Sequence, residues 1–91
     1  MTKEEYERKI EVSDIRFILY RELVELLAET RDKTLIYVEG LKLLILFKDV
    51  GALLDDEYED IKNLLFKLAI GERSKSDVDR IIGNILFLYD D

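Results

Sequence analysis

The chain has 91 residues, 48% of them hydrophobic and 38% charged, with 14 basic against 21 acidic side chains and a net charge of −7. That is enough for one globular domain over residues 1–91 and too little for two. Histidine, cysteine, tryptophan and proline are all absent, which removes the usual near-neutral general base, thiolate chemistry and the common nitrogen and sulfur metal ligands. No enzyme activity, metal or cofactor is therefore expected.

Thr2 and Glu5 have the spacing of a capping box at a helix start. Tyr6, Ile10, Ser13, Phe17, Tyr20, Val24 and Leu27 then follow steps of four and three, the spacing of a heptad seam. A flanking row of Val12, Ile15, Leu19, Leu23 and Leu26 widens the apolar face. No Gly or Pro interrupts this stretch, so one helix is expected over roughly residues 3–30, with Ser13-Asp14 as the place for a bend or a restart.

Residues 34–50 read as a second helix buried on most sides, because Glu39, Lys42 and Asp49 share one narrow stripe and nearly everything else is apolar. The alternative is a hairpin over residues 34–47, with strands Thr34–Val38 and Lys42–Phe47 turning at Glu39-Gly40. No third strand is in view to support a hairpin, which favours the helix. Gly51 marks its end.

Asp55-Asp56-Glu57 offers a cap and negative charge to a third helix over 55–70, with Ile61, Leu64, Leu65 and Leu68 on one face and Gly71 after its end. Ser76 is expected to cap a fourth helix over 76–89, with Asp79 at the capping-box position. The fold class is all-α, a small four-helix bundle-like domain with a long N-terminal helix. The alternative is α+β with the hairpin.

The charge is uneven: residues 1–33 carry 7 basic and 9 acidic groups, 34–54 carry 2 and 2, and 55–91 carry 5 and 10. Such a balance opposes non-specific binding to nucleic acid or anionic membrane and suits a basic protein partner. The acidic, polar N-terminus is unlike a signal peptide, and the longest apolar run is only Leu43–Phe47. A cytoplasmic protein is expected.

The run Asp55 to Asp60 is too irregular for a calcium loop, with Asp60 at the sixth position and Phe66 at the twelfth where Gly and Glu are required. As a helix N-terminus it needs no ligand. As a surface, Asp55, Asp56, Glu57, Glu59 and Asp60 form a candidate patch for a partner's Lys and Arg side chains. Glu39, in the most apolar segment, is expected at an exposed edge or paired with Lys42. Residues 68–82 loosely follow a helix-turn-helix pattern in which Arg73, Lys75 and Arg80 would contact DNA. Asp77 and Asp79 lie among them and oppose that reading.

The sequence thus points to a small acidic, non-catalytic protein-interaction module that binds a basic surface of a partner protein. Inhibitors, immunity proteins, antitoxins and adaptors share that mode, and a viral or mobile-element origin would suit it. Its apolar content predicts a homodimer or higher oligomer, with Phe17, Tyr20, Val24 and Leu27 as the interface. A dimeric helix-turn-helix regulator is the alternative.

Overall fold

A computed structural model describes the backbone of residues 3–87 and the side chains of residues 14–87. Four helices follow one another: α1 (Lys3–Glu29), α2 (Lys33–Asp49), α3 (Asp55–Ala69) and α4 (Lys75–Phe87). The all-α expectation holds, and residues 34–47 are helical rather than a hairpin. Ser13-Asp14 lies within an unbroken α1. The Thr2–Glu5 box, and Tyr89 of the expected last helix, fall outside the described residues.

Short connections force antiparallel neighbours. Each helix packs on the next, and α4 closes the ring onto α1. The long dimension, 45 Å, matches a 27-residue helix at about 1.5 Å per residue. The core holds Leu19 and Leu23 of α1, Ile36 and Leu44 of α2, Ile61, Leu65 and Leu68 of α3, and Val78 and Ile82 of α4. In α1 the flanking row won: Leu19 and Leu23 are fully buried whereas Phe17, on the expected seam, is 57% exposed. Burial on most sides of α2 is also corrected. A helix in a four-membered ring has only two neighbours, so Leu35, Val38, Ile45 and Leu46 remain uncovered.

The helix ends show why the chain turns where it does. Asp32 caps α2, its carboxylate accepting from the backbone N–H groups of Thr34 and Leu35 at 2.9 and 3.3 Å. Gly51 and Gly71 adopt φ of 81° and 84° after α2 and α3. At each, the next residue's N–H returns to the last turn, Ala52 to the Phe47 carbonyl and Glu72 to the Lys67 carbonyl. These are Schellman endings, which need a residue free to take a left-handed conformation.

Two caps differ from expectation. Leu54, not Asp55, occupies the N-cap position of α3, and Glu57 reaches back to accept from the Leu54 N–H at 3.0 Å. Ser74, not Ser76, caps α4, its hydroxyl accepting from the Asp77 N–H at 3.1 Å. Ser74 and Ser76 each have an aspartate three residues on. Asp79 is instead drawn across to α1, where it accepts from the Tyr20 hydroxyl at 2.8 Å. Packing across the ring selects between two equivalent local signals.

Candidate functional site

The acidic start of α3 is built on a cation that is not among the candidate residues above. Arg16 of α1 forms a bidentate pair with Glu57, its two terminal nitrogens donating at 2.8 and 2.7 Å. The same guanidinium donates to the carbonyls of Ala52, Ile85 and Leu86 at 3.2, 3.2 and 3.1 Å. A planar fork with five donors suits this cradle, and the last carbonyls of α4 carry the negative end of its dipole. Both side chains are largely covered, 16% and 18% exposed. The Arg16 hydrogen bonds hold the Glu57 carboxyl below the usual carboxylate range, against the opposing effect of burial, and the Leu54 N–H adds to the lowering.

Glu57 is therefore engaged within the fold, while the rest of the acidic run faces outward. Asp55, Asp56, Glu59 and Asp60 are exposed, the Asp55 side chain to 92%. Lys48 at the end of α2 lies 3.3 Å from Asp55 and 4.7 Å above the Tyr58 ring, joining α2 to α3. Beside these carboxylates, Val50 and Leu54 in the α2–α3 connection are 60% and 65% exposed. Lys62 lies 4.0 Å from Glu59, so two of the four exposed carboxylates have a cation beside them, and this end of the molecule combines uncovered apolar side chains with an excess of negative charge.

A second acidic surface was not anticipated from the charge count, which is nearly balanced over residues 1–33. Glu22, Glu25 and Glu29 of α1 and Glu39 of α2 line a groove of about 270 Å³ whose floor includes Leu26 and Leu43. The three α1 glutamates follow i, i+3, i+7 spacing, the legible sign of a shared helix face. Glu39 pairs with Lys42 at 3.2 Å, as expected.

Across the molecule, a shallow groove of about 400 Å³ between α3 and α4 is lined by Asp60, Asn63, Leu64, Lys67, Arg73, Ile81 and Ile85. It brings Arg73 to Lys67 but not to the other helix-turn-helix candidates. Lys75 donates to the Thr30 carbonyl at 2.8 Å, tying α4 to the end of α1, and Arg80 pairs with Asp77 at 3.5 Å. Neither is arranged as a free phosphate contact. Among the described residues no cluster of three or more acidic side chains is arranged to hold a metal ion. No described helix is long and apolar enough to cross a membrane.

The four expected oligomer residues do not share one free face. Leu27 is buried in the core and Val24 is half-buried. Tyr20 packs edge-on to Phe87 at 5.3 Å, and Phe17 lies 6.3 Å from the same ring. The Asp79 hydrogen bond raises the Tyr20 pKa, with burial and the Asp79 charge adding to it. A raised folded value means the stabilisation is complete below the unfolded tyrosine pKa and is lost as pH climbs through the folded one. Tyr20→Phe should cost about 1–2 kcal/mol, read by denaturant unfolding at neutral pH, and should flatten that alkaline loss.

What the fold and these surfaces define is an acidic antiparallel four-helix bundle with two negatively charged faces and an uncovered apolar helix face. No protein-family model matches the chain, and neither a curated protein nor a solved structure matches it.

Proposed function

We propose that this chain is a non-catalytic protein-interaction module that binds a basic surface of a partner protein through the start of α3, and that it works as a homo-oligomer. One observation carries the partner reading: exposed Asp55, Asp56, Glu59 and Asp60 lie beside exposed Val50 and Leu54. Apolar anchors within a charged rim are the pattern by which interfaces combine affinity with steering. Glu57 serves this surface indirectly by fixing the α3 terminus against Arg16. Inhibition, immunity or adaptor function all operate by such occupancy of a partner.

The test replaces Asp55, Asp56 and Asp60 with Asn and Glu59 with Gln. Those side chains are solvent-exposed, so the fold should lose little beyond weak surface pairs and dipole interactions. Partner capture from the native source is compared for the two proteins. Association of the captured protein with the variant should slow by about tenfold or more at low salt and lose most of its salt dependence. Equal association rates would remove the acidic surface from the mechanism. Capture of DNA in place of protein, abolished by Arg73→Ala and Arg80→Ala, would overturn the protein-partner reading.

A further inference from the structure

The outward face of α2 is the broadest uncovered apolar helix face among the described residues. Leu35, Val38, Ile45 and Leu46 are 46%, 42%, 49% and 56% exposed. At 3.6 residues per turn they fall within an arc of about 100°, with Lys42 at its centre. Phe66 of α3, 48% exposed and in edge contact with Tyr37 at 5.9 Å, packs beside α2 and extends the apolar surface. The patch amounts to something on the order of 400 Å², within the range at which monomer patches carry a function. It is also close to the apolar share of the roughly 800 Å² that each partner contributes to a standard interface.

We propose that a second copy of this chain covers this face, the two α2 helices lying antiparallel about a two-fold axis between residues 40 and 41. The proposal rests on the oligomeric reading above and assigns its interface to α2 instead of α1. Two of the three charges on this face set the direction, and the third, Asp49, falls opposite Asp32 of the second copy at the helix ends, where both are solvent-exposed. Glu39 precedes Lys42 on the exposed face, and the two already pair within the helix at 3.2 Å. An antiparallel copy sets Glu39 opposite Lys42 of the second copy, and Lys42 opposite its Glu39. Leu35 and Leu46 then meet in the same two-fold register. A parallel copy would oppose like charges at both positions. The glutamate groove adds to the match, because Glu22, Glu25 and Glu29 flank Glu39 where the incoming Lys42 arrives. The repulsion between two chains of charge −7 is long-range and is largely screened at physiological salt.

The chain has no cysteine, so single cysteines report the arrangement directly. Leu35→Cys and Leu46→Cys proteins are prepared separately, mixed and oxidised. The antiparallel dimer predicts a mixed 35–46 disulfide, with little linkage in either protein alone. Sedimentation equilibrium should give a dimer for the native chain at about 100 μM and a monomer for Ile45→Glu/Leu46→Glu, with helical circular dichroism retained. The protein carrying the four acid-to-amide changes of α3 should remain dimeric. A native monomer at that concentration overturns both this interface and the oligomeric reading. A native dimer that links 35 to 35, or that survives the double glutamate substitution, overturns the α2 interface alone.

Discussion

Arg16→Ala should lower the unfolding free energy by about 3–5 kcal/mol, the cost of removing one partner from a covered ion pair. For a domain of this size that is a fall in melting temperature of roughly 15–30 °C. The loss has two sources. Glu57 is left with a largely covered carboxylate and only the Leu54 N–H. The carbonyls of Ala52, Ile85 and Leu86 lose a donor at the same time. Replacing both charges, as in Arg16→Met with Glu57→Leu, should recover much of the loss, because matched apolar side chains remove the uncompensated charge. Acid titration supplies an independent check. The folded Glu57 pKa is lowered, so its contribution is complete above the unfolded glutamate value and disappears as pH falls through the lower folded one. Melting curves from pH 6 down to pH 2 should therefore be shallower for Glu57→Gln than for the native chain.

Two glycine-to-alanine exchanges should move stability in opposite directions. Gly40 is buried in α2, and a Cβ there would lie 2.6 Å from the Leu65 Cδ1 of α3. Leu65 is fully buried, so its side chain must shift within the core to admit that carbon. Overpacking of this kind costs about 1–3 kcal/mol, more than the helix propensity of up to about 1 kcal/mol that alanine adds. Gly40→Ala should thus destabilise by about 1–2 kcal/mol, and Gly40→Val by more. At Gly83 of α4 the nearest atom to an added Cβ is on the Tyr20 ring, at 3.4 Å, the near edge of ordinary contact. Gly83→Ala should stabilise by about 0.5–1 kcal/mol. Chemical denaturation of the two single variants decides this. A Gly40→Ala protein as stable as the native chain would mean that α2 and α3 part easily.

The helices themselves were legible because periodicity, Gly51 and Gly71 all act within a few residues of each boundary, whereas the Asp32 cap of α2 went unread. What required three dimensions was any choice between locally equivalent options. Two apolar rows run along α1, and only the arrival of α2 and α4 decides that Leu19 and Leu23 go inside. Gly40 entered the sequence reading only as the turn of the alternative hairpin, whereas its lack of a side chain serves the approach of α3. Glu57 was expected in the outward acidic patch, and Arg16 drew no expectation at all. Their spacing held the clue: Arg16 is three residues before Leu19, and Glu57 four before Ile61, so each extends a buried row by one turn. A charge in that position either leaves the apolar face or finds its opposite. Of the acidic patch, the exposed members were legible from polarity alone, while the glutamate groove needed α1 and α2 side by side.

The joint at Arg16 has a kinetic meaning as well. The hydrogen-bond partners named above lie 36 to 70 residues away along the chain. No pair of consecutive helices contains it: the Glu57 and Ala52 bonds need the start of α3 brought to α1, and the Ile85 and Leu86 bonds need α4 closed onto α1. Contacts of that range form late, after the entropy of closing long loops has been overcome. Arg16 therefore acts as a latch on the finished ring. Its removal should leave the folding rate nearly unchanged and appear almost wholly as faster unfolding, which sets how long an individual molecule stays folded.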